Sequence, residues 1–211
     1  MSARDEVEAA RSAYGAMAAR YDSHVAVHAY YFPRLRRFLR RFARPGTRVL
    51  DVGCGTGLVT RHVRDAEVIG LDLSPQMLAL ARAKRPGRRF LEGDFHSPLP
   101  TPAGKYDVIV AASCLEFCRD MALFCRNAAA ALNPGGRLLF APVHRPRRQA
   151  ASVPASPLCP SLLLHRYRRD EVRRAIEDAG LAVVTTFLGR GWNDGGQVVW
   201  YRYWHARSPA P

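Results

Sequence analysis

Apolar positions along the chain change period several times, and each change marks a structural element. Leu35, Phe38, Leu39 and Phe42 recur at intervals of three and four between arginines, so a helix burying one stripe is predicted from about Tyr30 to Phe42. A first helix is predicted over Ser2–Arg20, and Pro45-Gly46 closes the second. Beyond that point short apolar runs take over: Arg48–Val52, Glu67–Asp72, Arg89–Glu92, Tyr106–Ala112 and Arg137–Val143 are read as strands. Helices are predicted between them. One spans about Leu58 to Val63; a second opens at Ser74-Pro75, with serine as cap and proline at the first helical position. An alanine-rich third runs to about Leu132, where Asn133-Pro134-Gly135-Gly136 stops it.

Strands alternating with helices at this spacing need crossover connections, and therefore a mostly parallel sheet with helices on both faces. After a helix near Asp170–Ala179 the rhythm breaks. Leu181–Leu188 and Gln197–Trp204 flank the turn Gly191–Gly196, the pattern of an antiparallel hairpin closing one side of the sheet. The expected fold is a single α/β domain with a Rossmann-like, seven-stranded, mostly parallel sheet. Its expected parts are an N-terminal helical lid (1–44), a ligand-binding core (45–143), a loop facing a second ligand (144–166) and the closing helix and hairpin (167–211). Residues His144–His165 carry four prolines and no clear period, and loops of that length in compact domains are usually functional.

Charge adds an ambiguity. There are 32 Lys+Arg against 18 Asp+Glu, and Lys84 and Lys105 are the only lysines. An arginine-rich surface suits nucleic acid, acidic lipid or an anionic metabolite. The arginines are spread over the chain without a basic tail, which favours a GC-rich coding composition as the source. Cys54, Cys114, Cys118, Cys125 and Cys159 are odd in number and include no CxxC pair, arguing against a disulfide framework or a zinc site. Cys114 and Cys118 would share a helical face, which alone is a poor metal site, so no metal is expected. No signal-like N-terminus and no apolar run near ~20 residues is present, so a cytoplasmic protein is expected.

The most informative stretch is Val49-Leu50-Asp51-Val52-Gly53-Cys54-Gly55-Thr56-Gly57, an apolar strand running into glycines. Glycines there allow a tight turn and a close approach of ligand to backbone. A dinucleotide fingerprint would need glycine at Leu58, and a phosphate loop would need Gly-Lys-Ser/Thr; neither is present. Asp72, at the end of the second strand, can accept two hydrogen bonds from the vicinal hydroxyls of a ribose.

Asp51 and the spacing of Gly53, Gly55 and Gly57 resemble motif I of the class I S-adenosylmethionine-dependent methyltransferases. Asp72, Gly93-Asp94-Phe95 after the third strand, and Leu132-Asn133-Pro134-Gly135-Gly136 before the fifth fall where that family has its further motifs. Tyr14, Arg20, Tyr21 and Asp22 resemble the segment that lids the cofactor in the family's small-metabolite branch. The resemblance implies S-adenosylmethionine as cofactor. It implies contacts to it from Tyr14, Arg20, Tyr21, Asp51, Gly53, Cys54, Gly55, Thr56, Gly57, Asp72, Leu73, Met77, Asp94, Phe95 and Ser113. Asp94 would accept from the adenine amino group, and Leu73 or Phe95 would pack on the purine.

An electrophilic methyl on sulfur needs mainly alignment, while a hydroxyl or carbon nucleophile also needs a base. Glu116, expected on the site rim where many relatives carry a histidine, is one candidate; Tyr21, His24, His28 and His144 are others. The first helices, Glu116 and residues 144–165 are expected to form the acceptor mouth, with Tyr30, Tyr31, Phe32 and Trp192 as lining. Arg145, Arg147 and Arg148 would either grip an anion or be solvated. Strand four lacks the Asn/Asp-Pro-Pro-Tyr ending used on planar amides and exocyclic amines, and no nucleic-acid module is appended. The expected acceptor is therefore a small or medium-sized metabolite methylated on oxygen, nitrogen or carbon. An RNA- or ribosome-directed enzyme and a non-catalytic cofactor-binding partner subunit are the alternatives, the second opposed by the intact Asp51, Gly53, Gly55, Asp72 and Asp94. Whether the protein is a monomer or a homodimer is open.

Overall fold

Five parallel strands carry the core of the structure, a computed structural model that describes residues 3–24, 32–154, 163–194 and 197–210. They are β1 (Arg48–Val52), β2 (Glu67–Asp72), β3 (Arg89–Glu92), β4 (Tyr106–Ala112) and β5 (Leu132–Ala141). A short antiparallel pair, β6 (Ser152–Pro154) and β7 (Leu163–His165), stands apart. The long hairpin of β8 (Ala182–Asp194) and β9 (Gln197–Arg207) completes a seven-stranded sheet in the order β3-β2-β1-β4-β5-β9-β8. β9 lies antiparallel to β5 and β8 forms the edge. The expected Rossmann-like architecture with a C-terminal hairpin is the one observed.

Alternation along the central strands sorts their side chains to two faces. Leu50, Val52 and Ile109 join Phe124 and Phe140 in one cluster, under α4 (Met121–Ala131) and α5 (Arg169–Asp178). Val49, Val108 and Val110 join Leu35 and Leu39 of α2 (Phe32–Phe42) on the other face. α3 (Pro75–Lys84) starts as expected, with Ser74 Oγ accepting from Met77 N and Pro75 in the first turn. The remaining helix, α1 (Ala3–His24), packs on α3.

Three expectations are corrected. Residues 58–62 form consecutive turns and Val63 has no regular structure, so the expected helix over 58–63 is absent. Val59, Thr60 and Val63 are β-branched, and Arg88 takes the carbonyls of Thr60 and Val63 that a growing helix would need. Strand β5 begins at Leu132 and ends at Ala141 rather than spanning 137–143. Leu132 pairs with Tyr106, and the ladder resumes at Val108–Arg137, so the Asn-Pro-Gly-Gly segment is a bulge within the strand; Gly135 takes φ 74° there. Residues 144–165 are not wholly irregular, since they contain β6 and β7. Tyr30, Tyr31, His28 and Cys159 lie outside the described residues, as do the side chains of His24, Phe32 and Trp192. Among the described residues no helix is long and apolar enough to cross a membrane.

Phe124 is fully buried, with ring centroids 6.1 Å from Phe95 and 5.8 Å from Phe140. Phe124→Ala is expected to lower stability by about 3 to 5 kcal/mol. Urea unfolding should show a lower midpoint at unchanged m-value, and a loss below about 1 kcal/mol would contradict this packing.

Candidate active site

The carboxyl ends of β1, β2, β3 and β4 converge beneath a cleft of about 920 Å³ that is open to solvent. The turn after β1 makes its floor. Gly53 and Gly55 have φ of 65° and 52°, conformations that side chains disfavour. A Cβ on Gly53 would fall 2.3 Å from Cys114 Cβ, so the turn and the loop after β4 touch through a bare backbone. Above Gly55, a Cβ would find only Tyr21 within reach, at 3.6 Å.

Asp72 joins this turn to the start of α3. Its Oδ2 accepts from Gly55 N at 2.7 Å and its Oδ1 from Ser74 N at 2.9 Å. Burial raises its pKa, and these backbone N–H groups oppose the rise. A carboxylate offers about four acceptor positions, so both oxygens can still receive a ligand's hydroxyls. Asp94, after β3, accepts from His96 N at 3.0 Å and lies 2.9 Å from His96 Nδ1. Burial works against ionisation there, but the His96 bonds and the charges of His96 and Arg119 hold the carboxyl below its ordinary value.

The structure brings Tyr14, Tyr21, Gly53, Gly55, Asp72, Leu73, Met77, Asp94, Phe95 and Ser113 together on the wall of this cleft. It places other candidates elsewhere. Asp51 is buried beneath the turn, where Thr60 Oγ1 donates to its Oδ2 at 2.7 Å. Burial pushes its pKa up to about 7, against Thr60 and Arg88. Cys54 packs on Leu78, Ala81 and Phe90. Thr56 donates to Asp22 at 2.6 Å, and Asp22 also meets Lys84, so these residues tie the end of α1 to the core. Gly57 and the exposed Arg20 do not line the cleft.

Glu116 is not on the rim. A 3-10 turn over Leu115–Phe117 turns it inward, where it is 3% exposed, and Cys114 and Cys118 flank that turn as buried thiols. His144 donates its backbone N–H to Trp200 O and bridges to Tyr167, away from the cleft; burial, then the Arg202 charge, lowers its pKa. Arg145 pairs with Glu171 rather than facing a ligand site.

Sequence reasoning missed Glu6, Arg11, His96, Phe117, Arg119 and His165, which also line the cleft. Arg11 and Glu6 sit about one and two turns before Tyr14 on α1, and Arg11 reaches Glu92 at 2.8 Å. His165 of β7 lies 3.8 Å from Glu6. His96 stands two residues after Asp94 and was legible from that spacing; the rest depend on chain crossings that leave no local signal.

A cleft over a glycine turn, at the carboxyl ends of a Rossmann-like sheet, is the place where folds of this class bind nucleoside cofactors. The family model described as "Methyltransferase domain" matches residues 50–140. A malonyl-acyl-carrier-protein O-methyltransferase from Erwinia pyrifoliae is 30% identical over 186 residues, covering 86% of this chain and 68% of the relative. A demethylmenaquinone methyltransferase from Tropheryma whipplei is 42% identical over 113 residues, covering 50% of this chain and 46% of that one. The chain spans about half the length of several curated relatives it matches, for example 55% of a Serratia marcescens malonyl-acyl-carrier-protein O-methyltransferase. A solved S-adenosylmethionine-dependent methyltransferase from Mesorhizobium loti superposes with a TM-score of 0.65 at 26% identity, covering 83% of this chain and 96% of that one. The chain belongs to the class I S-adenosylmethionine-dependent methyltransferase family.

Asp51 makes pH dependence testable. A buried carboxyl with a raised folded pKa stabilises the fold below its unfolded pKa near 4, and that stability is lost as pH rises toward about 7. Asp51→Asn keeps an acceptor for Thr60 without the titration. Thermal melts should show the wild type losing more stability than the variant between pH 5 and pH 8. Parallel curves would mean that Asp51 does not titrate in this window.

Proposed function

We propose that the chain binds S-adenosylmethionine in this cleft and catalyses transfer of its methyl group to a small or medium-sized metabolite, at oxygen, nitrogen or carbon. The observation that carries the reading is Asp72. It is a partly buried carboxylate fixed by two backbone N–H groups, with acceptor capacity left toward the cleft, as a ribose requires. The residues present fit the cofactor. Gly53 and Gly55 leave the backbone bare for close approach, Asp94 retains Oδ2 for the adenine amino group, and Leu73, Met77 and Phe95 supply apolar walls. When bound, the cofactor supplies an electrophilic methyl on a sulfonium; the protein aligns the nucleophile and excludes water.

In this reading residues 1–44 act as the lid, 45–143 as the cofactor core, 144–166 as the acceptor wall, and 167–211 as the closing support. α1 contributes Val7, Ala10, Arg11 and Tyr14 to the cleft, and β7 contributes Leu163 and His165, so the mouth is bounded by two separate segments. Such a concave, largely apolar mouth favours a small acceptor over a nucleic acid duplex. The relatives' names give them different acceptors, malonyl-acyl-carrier protein and demethylmenaquinone, so the methyl donor is what this chain is inferred to share with them. An RNA-directed enzyme draws support from Arg36, Arg40, Arg61 and Arg85, which gather around His62 and pair with no carboxylate among the described residues. None of the four lines the cleft.

Calorimetry with S-adenosylhomocysteine tests the proposal. Micromolar binding is expected, weakened roughly ten- to a hundredfold in Asp72→Ala. A folded wild type that binds neither S-adenosylhomocysteine nor S-adenosylmethionine would refute it.

A further inference from the structure

The hairpin of β8 and β9 holds every large hydrophobic side chain that is exposed among the described residues: Val184, Leu188 and Trp200, at 51%, 41% and 40%. β8 is also the edge of the sheet. It pairs with β9 on one side and with no strand on the other among the described residues. At 13 residues it is the longest strand of the sheet. Edge strands are ordinarily kept from further pairing by short length, charged side chains, proline or bulges. β8 has no proline, and no charged residue occurs from Ala179 to Gly189. A register shift between Val183 and Thr185 disturbs its start, but Thr185–Arg190 pairs with β9 without interruption. At about 3.4 Å per residue, that run offers an edge roughly 20 Å long.

The two faces of the hairpin are covered unequally. Phe187 and its ladder partner Tyr203 lie under α2, where Phe187 stacks on Phe38 with centroids 6.0 Å apart and Arg34 stands 5.9 Å from the Phe187 centroid. On the opposite face Trp204 is buried in one cluster with Val172 and Ile176 of α5. Leu188 and Trp200 share that face as diagonal neighbours, yet they extend past the cover of α5. The unpaired edge and the uncovered apolar side chains therefore adjoin.

We propose that β8 is a dimerisation edge, pairing antiparallel with β8 of a second copy of this chain so that two seven-stranded sheets become one. A two-fold axis at Thr186 sets Val184 of each copy beside Leu188 of the other, so the apolar edge positions match each other. Arg190 then falls beside Ala182 of the second copy rather than beside another cation. Charge selects the occupant. Two copies that each carry a formal net charge of +14 repel, and can meet most closely where neither presents charge. The β8 edge is such a place. An acidic partner would gain nothing from an uncharged strand and would be drawn instead to the arginines of α2. Strand direction reverses across the axis, so the two clefts open at opposite ends of the joined sheet.

Sedimentation equilibrium over about 1 to 100 µM tests the proposal, and the wild type is expected to pass from monomer to dimer in this range. Val184→Lys combined with Leu188→Lys sets lysine against lysine across the axis and should raise the dimer dissociation constant at least about tenfold. Val184→Glu combined with Leu188→Lys sets opposite charges in the same places and should dimerise about tenfold more tightly than the double-lysine chain. Both positions are exposed in the monomer, so circular dichroism and urea midpoints should match the wild type. Amide exchange over Thr185–Arg190 of the wild type should slow as protein concentration rises. A wild type that stays monomeric at the top of the range, exchange that does not depend on concentration, or a folded double-lysine chain that dimerises as tightly as the wild type would each overturn the proposal. A glutamate–lysine chain no tighter than the double-lysine chain would overturn the pairing about Thr186. None of these outcomes bears on the cofactor reading.

Discussion

The carboxylate of Asp72 sets the geometry on which the site depends. Gly55 N donates to one of its oxygens and Ser74 N to the other, while its own carbonyl accepts from Gly93 N at 3.0 Å. One residue thereby joins the turn after β1, the start of α3 and the end of β3. Each bond to a charged acceptor contributes roughly 1.5 to 3 kcal/mol, but the larger effect is positional. The parallel register of β1 with β2 already aligns Val52 with Leu71, and Cys54 N donates to Leu71 O at 3.0 Å. The Asp72 side chain converts that alignment into a fixed floor, with the Gly53 and Gly55 backbone bare above it.

The roof is held differently. α1 meets the core through Arg11–Glu92, Asp22–Lys84 and Glu6–His165, pairs that are partly open to solvent and individually weak. Tyr14 adds edge contacts to Phe117 and Tyr21, at 5.5 Å and 6.2 Å, each contributing about 0.5 to 1.5 kcal/mol. A floor locked by buried backbone bonds under a roof held by small, separable contacts suits a cleft that must admit and release ligands.

The contrast between floor and roof also explains what was legible in the sequence. β1, β2, β3 and β4 and the capped start of α3 were readable to the residue, because their signals are local: apolar runs, a glycine turn, a serine cap before proline. Asp72 and Asp94 were readable because each stands at the end of one of those strands. Residues 58–63 misled because helix length and spacing were satisfied there, while Arg88, 25 residues beyond Val63, holds the carbonyls that decide the outcome. Glu116 misled for a related reason. Its place after β4 fits a rim residue, but the left-handed Ser113 and the 3-10 turn rotate it inward, and a serine gives no warning of positive φ. His165 and Arg119 reach the cleft only because β7 and the loop after β4 fold over it. No periodicity records that approach.

Charge is distributed in the same two-level way. The chain has a formal net charge of +14, yet Asp72 lines the cleft and Asp51 and Glu116 are buried, each with its pKa raised by burial. Of the arginines among the described residues, only Arg11 and Arg119 line the cleft, and Arg11 is already paired with Glu92. Exposed arginines act through water and salt, which screen them beyond about 8 Å. The buried carboxyls are screened far less and lie closer to any bound group. A cationic ligand in this cleft would therefore respond to the three acids rather than to the net charge. Their raised pKa values follow from the same cause, since each acid lacks a cation of its own in the interior strong enough to offset its burial. A sulfonium would supply that missing charge, which makes binding of such a ligand and ionisation of the acids mutually reinforcing.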